Sequence, residues 1–370
     1  MLRSISAVLA VALLPLALGV TITTPGTVTT IVNPRLFTEP SGDEHLHGIV
    51  RDPISGNIYV GDWNKLSIGN APFFGPYIEN KDSIRRINAL QEVSVMTYVV
   101  SPSAMAYNAA DRQIYVVAGS VSCSGGERRS AGPTLNGIVA IDPATGKTRV
   151  LAGGNAGFSN GSGNQAQFSE PVGIASDPAS GAFFVSEGCQ NRIREVDQSG
   201  TAATLAGSGT QGSADGTATE ATFDNPRGIA YCESDRTLYV ADSGNNEIRA
   251  VSLDGKVTTL AGSPTAGFED GAGAAARFDR PTGVACDNAG NVYVADSQNN
   301  AVRKVTASGI VTTIAGDKTA GTDDGVGAAA RFTTPGDLTY DPNELALYVV
   351  DWGSNQIRKV ALPAPASATR

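Results

Sequence analysis

The sequence predicts an all-β fold, a six-bladed β-propeller built from four-stranded blades. Phenylalanines anchor a repeat at Phe168, Phe223, Phe278 and Phe332, 55, 55 and 54 residues apart. Each copy holds four short runs rich in Val, Ile, Leu, Tyr and Thr, bounded by Gly, Asn, Asp or Pro, a pattern typical of strands. Four strands in each repeat is the composition of a propeller blade.

The copy after Phe223 shows the pattern best. Its runs predict strand a at 227–232, strand b at 237–242, strand c at 247–252 and strand d at 256–261. The same pattern places the six blades at about 44–100, 101–154, 168–207, 223–262, 278–316 and 332–361. The more divergent first two copies still carry their Ile-Tyr-Val steps, so the repeat covers nearly the whole chain.

The last copy has no fourth strand of its own. After strand c it ends in Leu-Pro-Ala-Pro, and residues 363–370 form a C-terminal tail. Residues 26–32, Gly-Thr-Val-Thr-Thr-Ile-Val, match the strand d sequences at 255–261 and 309–315. We therefore expect the N-terminal strand to pair into the last blade and close the ring, which removes the open sheet edges.

Composition and the N-terminus bear on the compartment. Arg3 is followed by an uncharged, mostly apolar stretch at 5–18 and by Ala17-Leu18-Gly19, which together predict a signal peptide at 1–19. We therefore expect a secreted propeller at 20–362 and no membrane span after signal removal. A formal net charge of -9 with 27 Lys and Arg gives no broad basic surface. Nucleic acid is therefore not an expected partner.

The chain has four cysteines, an even number that suits disulfides in an exported protein. Cys123 and Cys189 fall in b-to-c connections on one face of the predicted disc. Cys232 and Cys286 end strand a in adjacent blades on the other face. Because other pairings would cross the disc, we predict the bonds Cys123–Cys189 and Cys232–Cys286. Asn160-Gly-Ser forms a glycosylation sequon in an interblade loop.

The units resemble NHL repeats. The resemblance rests on the segments 239–249, 293–303 and 348–358, of which the first reads Tyr-Val-Ala-Asp-Ser-Gly-Asn-Asn-Glu-Ile-Arg. The Asn-His-Leu step itself is replaced by Asn-Glu, Asn-Ala, Asn-Gln and Asn-Arg. The resemblance implies a six-bladed propeller, but NHL proteins include binding scaffolds, RNA-binding modules, signalling ectodomains and a few lyases, so function has to be argued from sites.

Several polar residues recur in nearly every blade, and we interpret them as structural. An acid ends strand b and an arginine lies in strand c. The acids are Asp62, Glu187, Asp242, Asp296 and Asp351, and the arginines are Arg85, Arg194, Arg249, Arg303 and Arg358. Interblade loops carry Asn-Gly or Asp-Gly steps at 160, 215, 270 and 324, which predict tight turns. We expect the repeated acid and arginine to form a buried or half-buried stitch, in which the acid accepts turn amides or the arginine fork, whereas a functional site breaks the symmetry.

The longest b-to-c connections, residues 64–82 and 118–136, lie in the adjacent first and second blades. Both should rise on one face beside the pore. They supply the ligand-binding candidates Trp63, Lys65, Phe73, Phe74, Tyr77, Arg128 and Arg129. Aromatic and arginine side chains are favoured at recognition surfaces, which predicts an extracellular protein or glycan as partner. The alternative is that the two loops simply pack on each other.

The pore ends of strand a supply a second set of candidates, His45, His47, Glu170, Asn225 and Arg227. His45, Glu170 and Asn225 could share a cation, but two histidines cannot build the three-histidine zinc site that resemblance to lyase-type members implies. We expect no metal, cofactor or catalytic residue. The leading prediction is a non-catalytic binding scaffold, and the alternative is a pore-centred hydrolase or lyase, with or without a metal.

Overall fold

The computed structural model describes residues 24–32, 44–64, 67–71, 75–79, 82–99, 101–119 and 135–364. Residues 44–45, 63–64, 67–71 and 75–79 are described by their backbone alone. The predicted signal peptide lies outside these ranges. In the described part of the chain, β-strands and short 3-10 turns account for all regular structure, and no helix there is long and apolar enough to cross a bilayer.

Six antiparallel sheets form the blades. In the order a to d, blade one contains Glu44–Arg51, Ile58–Asn64, Ser83–Ile87 and Val93–Tyr98; blade two contains Pro102–Asn108, Gln113–Ala118, Asn136–Ile141 and Thr148–Gly154; blade three contains Pro171–Ser176, Phe183–Glu187, Arg192–Val196 and Thr201–Ala206. Blade four contains Pro226–Cys232, Thr237–Asp242, Glu247–Ser252 and Lys256–Gly262; blade five contains Pro281–Cys286, Val292–Asp296, Ala301–Val305 and Ile310–Ala315; blade six contains Pro335–Asp341, Ala346–Asp351, Gln356–Ala361 and Thr27–Val32. The predicted six-bladed all-β fold is therefore confirmed.

The N-terminal strand closes the ring as predicted. Thr27–Val32 pairs antiparallel with strand c of blade six, with Val28 opposite Val360. Its other edge meets Gly325–Val326. Val28 is fully buried, so closure also adds an apolar side chain to the interblade core. Chain termini that meet in one sheet leave the described ring without an open blade.

The Asn-Gly and Asp-Gly steps between blades do more than turn the chain, so the prediction of simple tight turns was wrong. Their glycines begin short outer strands that pair with strand d, at Gly161–Ser162, Gly216–Thr217, Gly271–Ala272 and Gly325–Val326. A 3-10 turn follows each of these strands. Four of the six blades consequently gain a fifth strand, which the four-stranded repeat pattern alone did not indicate.

The first long b-to-c connection also has structure that the sequence did not predict. Ser67–Ala71 and Gly75–Glu79 form a separate two-stranded antiparallel hairpin between strands b and c of blade one. The second long connection is described only at its ends, up to residue 119 and from residue 135.

Close packing around the central axis depends on glycines in strand a. A Cβ at Gly228 would overlap the backbone of Thr282 in the next blade, and one at Gly283 would overlap Asp337 in the blade after it. Only a residue without a side chain permits this approach. Strand a of each blade thereby forms the wall of a narrow central channel.

Candidate functional site

The repeated acid and arginine form buried stitches, as interpreted from the sequence. In blade four, Arg249 donates from Nη1 to Asp242 Oδ2 at 2.8 Å and from Nη2 to Asp215 Oδ1 at 2.7 Å. The guanidinium also reaches the carbonyls of Thr222 and Ala214. Its carbon atom lies 5.3 Å from the centre of the Phe223 ring. Arginine, acid and anchor phenylalanine thus form one packed unit.

The ion pair of this unit recurs in five of the six described blades, which marks it as scaffold. Equivalent ion pairs join Arg85 to Asp62, Arg194 to Glu187, Arg303 to Asp296 and Arg358 to Asp351. Burial raises the pKa of Asp242 and of Asp296 to about 6, against the opposing effect of the arginine charge and of donated hydrogen bonds.

A second set of repeated contacts orders the face on which strand a begins. The residues that precede the strand a prolines, Ser101, Glu170, Asn225, Arg280 and Thr334, all adopt a left-handed backbone with φ between 48° and 57°. The N–H groups of the last three are held at 2.8 Å by the side-chain oxygens of Asn191, Asn246 and Asn300. These five residues therefore occupy equivalent positions in blades two to six.

Blade six breaks the symmetry at the channel. At the position that follows the strand a proline, or its equivalent in blade one, the other five blades have a residue with a side chain, and glycine or alanine comes next. Blade six instead has Gly336 followed by Asp337. A Cβ on Gly336 would overlap the indole of Trp352, so that ring lies across the Gly336 backbone. The centres of the Trp352 and His47 rings are 5.6 Å apart. Trp352 and Asp337 were not among the sequence candidates, although the exchanged order of glycine and side chain at 336–337 was a signal that could have found them.

Asp337 lies in the channel wall and bonds across the seam between blades six and one. Its Oδ2 accepts the N–H of Ile49 at 3.0 Å, and its Oδ1 accepts the N–H of Leu338 at 2.9 Å. Burial raises the pKa of Asp337 to about 6, and the two backbone donors only partly oppose that rise. The carboxylate therefore joins the first and last blades at the axis.

The channel has a volume of about 230 Å³ and opens beside a wider polar depression of about 660 Å³. The b-to-c turns and strand a entries of blades four to six line this depression. Its side chains include Asn225, Arg227, Arg280, Thr282, Ser297 and Trp352. Trp352 borders both spaces, so it lies where the depression meets the channel.

The structure brings some of the predicted pore residues together. Asn225 and Arg227 both line the depression. Glu170 is buried, and its Oε2 lies 2.8 Å from Cys189 Sγ. The Oδ1 of Asn225 and the Oε2 of Glu170 both lie beside Gly188, within 4 Å of where its Cβ would be. His47 faces Trp352 instead.

The loop candidates are described less fully. Lys65, Phe73, Phe74, Arg128 and Arg129 lie outside the described residues. His45, Trp63 and Tyr77 are described by backbone only, with His45 opposite Trp63 in the a–b pair of blade one. Their assignment to a ligand site stays a prediction.

The described residues do not provide a metal site of the kind that lyase-type members imply. Within those ranges no three or more His, Cys, Asp or Glu side chains converge in a way that could hold an ion. The pair of oxygens beside Gly188 falls short of the donor sets that zinc or calcium requires.

The structure describes one of the two predicted disulfides and the predicted glycosylation site. Cys232 and Cys286 form the expected disulfide between adjacent blades, with Cα atoms 5.6 Å apart. Cys123 lies outside the described residues, so its bond to Cys189 stays a prediction. Asn160 is exposed and its Oδ1 accepts a hydrogen bond from Arg194 at 2.9 Å. Glycosylation would modify the other side-chain atom, Nδ2, and leave this acceptor in place.

Comparison with known proteins agrees with this architecture. The model of the SMP-30/Gluconolactonase/LRE-like region matches residues 178–316. The human NHL repeat-containing protein 2 is 34% identical over 158 residues, which cover 39% of this chain and 22% of that protein. The matched segments span between 8% and 22% of the curated relatives. With its repeats and its closure, the chain is an NHL-type six-bladed propeller.

Solved structures support the fold. An auxiliary nutrient binding protein from Bacteroides ovatus superposes with a TM-score of 0.63 at 17% identity, over 91% of this chain and 77% of that one. A gluconolactonase from Xanthomonas campestris superposes with a TM-score of 0.57 at 15% identity, over 91% and 89%. Identities this low speak for the fold alone.

Proposed function

We propose that the chain is a secreted, non-catalytic binding scaffold that presents its b-to-c face to an extracellular protein or glycan. The observation that carries the proposal is the asymmetry of the ring. Blades three to six repeat the same buried stitches, whereas the long connections of blades one and two and the polar depression of blades four to six depart from the repeat. The depression is lined by b-to-c turns and strand a entries, and the two long connections are themselves b-to-c connections, so we expect all of these departures on one face.

Two further observations support this reading. The disulfide between Cys232 and Cys286 suits an oxidising, extracellular setting and agrees with the signal peptide predicted at 1–19. A structural neighbour is described as a nutrient binding protein, so a propeller of this shape serves in binding elsewhere.

The proposal is tested by binding of the purified mature protein to arrays of extracellular proteins and glycans. We expect a ligand whose affinity falls at least about tenfold, or ~1.4 kcal/mol, when Phe73 and Phe74 are replaced together by Ala. The control is Ile54→Ala. Ile54 is 63% exposed in the a-to-b turn of blade one, on the opposite face. Equal loss in both variants, or no ligand at all, would contradict the proposal.

A pore-centred hydrolase is the second candidate. The match to the gluconolactonase-like family model and the convergence of Glu170 and Asn225 beside Gly188 favour it. Elemental analysis of the purified protein, with lactone hydrolysis as the assay, separates the two candidates. A stoichiometric metal and an activity that are both lost in Glu170→Gln would favour the enzyme and overturn the scaffold.

A further inference from the structure

The polar depression beside the channel has the size and lining of a small-molecule site. Its volume of about 660 Å³ falls within the roughly 300–1,000 Å³ of ligand pockets. Trp352 supplies an aromatic ring, and Asn225, Arg227 and Arg280 supply amide and guanidinium groups. One large aromatic surface with a few polar groups around it is the composition of sites that orient a ligand.

The position of Trp352 is built into the chain. The residue after the strand b acid is Gly188, Ser243 and Ser297 in blades three to five, but a tryptophan in blades one and six, Trp63 and Trp352. Gly336 provides the space for the indole, since any side chain there would overlap it. Two departures from the repeat thus work together to place one aromatic ring where the depression meets the channel.

The charges of the lining favour an uncharged ligand. Four ionisable side chains contribute, and the carboxylates of Asp224 and Asp279 balance the guanidiniums of Arg227 and Arg280. Arg280 is exposed and forms no ion pair with any described residue. A lining that offers both donors and acceptors without net charge suits hydroxyl groups, which do both.

Two polar atoms of the lining lack a protein partner. Among the described residues, neither Asn225 Oδ1 nor Trp352 Nε1 has a hydrogen-bond partner, although both atoms are screened from solvent. An unpaired buried polar atom is unfavourable, so a ligand that supplies the missing partner gains affinity. Asn225 lines the depression, and its χ2 torsion has a broad minimum, so the amide can rotate to meet a ligand there.

We propose that this depression is a subsite for one uncharged sugar ring, which stacks on the Trp352 indole and exchanges hydrogen bonds with Asn225, Arg227 and Arg280. This inference rests on the proposed function, because glycans are one of the two ligand classes named there. A sugar so placed also covers the mouth of the channel.

Tryptophan fluorescence tests the proposal directly. The chain has two tryptophans, so in Trp63→Phe the emission comes from Trp352 alone. The probes are methyl glucoside, galactoside, mannoside and N-acetylglucosaminide, with methyl glucuronide and galacturonide as charged counterparts. We expect a saturable change of emission with at least one neutral glycoside, bound at least about tenfold more tightly than its uronide, equivalent to ~1.4 kcal/mol. No saturable change, or preference for the uronides, would overturn the proposal.

Two variants made in the Trp63→Phe background locate the subsite. Gly336→Ala displaces the indole without removing it, and Asn225→Ala removes the amide; each should weaken glycoside binding about tenfold, while Ile54→Ala should not. Should Gly336→Ala fail to fold, Asn225→Ala alone decides. Unchanged glycoside affinity in Asn225→Ala and Gly336→Ala would overturn the subsite.

The same measurements separate this inference from the proposed function. Array ligands that depend on Phe73 and Phe74, with no glycoside effect on Trp352, would refute the sugar subsite and leave the scaffold standing. A glycoside effect on Trp352 without any array ligand would refute the scaffold as proposed and leave the subsite standing, and the absence of both would refute both.

Discussion

Arg249 and Asp242 form an ion pair in which neither side chain has any exposed surface, with Nη1 2.8 Å from Oδ2. The same guanidinium reaches Asp215 in the interblade connection, and the same carboxylate accepts the N–H of Asp224 and the amide of Asn245. The pair therefore ties strands b and c to the loop that leads to their blade. A buried ion pair is costly to desolvate, so its effect depends on keeping both partners.

Replacing Arg249 with Met should lower the free energy of unfolding by about 3–5 kcal/mol, because it leaves the Asp242 carboxylate buried without its cation. Adding Asp242→Asn should recover part of the loss, since the neutral amide needs no counter-charge. Chemical denaturation of the single and double variants measures both effects. Arg236→Met, at an exposed turn, serves as the control and should change stability by less than about 0.5 kcal/mol. A loss below about 1 kcal/mol in Arg249→Met would contradict the prediction.

The disulfide between Cys232 and Cys286 spans 54 residues. Replacing both cysteines with Ala should cost about 2–4 kcal/mol, because the unfolded chain regains the freedom that the closed loop removes. Denaturation of the variant beside the wild type measures it. Peptide mapping without reduction tests the other predicted bond, Cys123–Cys189. Crossed pairs in that map would count against both the pairing and the blade alignment.

Asp337 makes stability depend on pH. Its pKa is about 6 in the folded chain against 3.8 for the ordinary group, so the folded state binds the proton more tightly. Its contribution is therefore fully present below pH 3.8 and is lost as the pH rises through 6, by up to about 3 kcal/mol. Asp337→Asn cannot titrate, so its free energy of unfolding should fall less steeply than that of the wild type between pH 4 and 6.

For Asp337→Asn the quantity to compare with the wild type is the slope of the free energy of unfolding against pH, and not its absolute value. The amide offers one oxygen to the two N–H donors of Ile49 and Leu338, which adds a loss that does not depend on pH. Parallel curves for the wild type and the variant would rule out Asp337 as the source of the pH dependence.

Asn160 stands where three other blades have an aspartate. Arg194 donates to Asn160 Oδ1 at 2.9 Å, whereas Arg249 donates to Asp215 at 2.7 Å as a charged pair. Asn160→Asp should therefore stabilise the chain by about 0.5–1 kcal/mol, a modest gain because the acceptor is exposed. Thermal unfolding of protein made without glycosylation measures it.

Ser162→Ala separates charge from glycosylation at this site. It removes the sequon and keeps Asn160, so in a glycosylating host it should abolish any glycan without the gain in stability. Destabilisation by Asn160→Asp would show that Arg194 does not favour an acid there.

Sequence patterns predicted much of the scaffold because its physics is local and repeated. Alternating strands predicted the blades, and the copy of strand d at 26–32 predicted closure. The recurring Asp242 and Arg249 predicted a buried stitch. The short outer strands escaped prediction, since two residues such as Gly216–Thr217 carry no periodic signal and become a strand only by pairing with strand d.

The candidate site was less predictable from residue types. Arg227 and Asn225 were found because the repeat puts them at the pore end of strand a. Trp352 was missed because it lies in a b-to-c turn and meets Gly336 of strand a only through packing. Whether a tryptophan in a turn faces solvent or the axis depends on the space left by its neighbour.

By itself the sequence determined the all-β class, the number of blades and the way the ring closes, since each follows from hydrophobic alternation and repetition along one chain. Only the tertiary structure decided that Gly336 makes room for Trp352 and that Asp337 bonds Ile49 across the seam. Such contacts join residues from different strands or blades. They depend on distances around the axis, which no periodicity along the chain records.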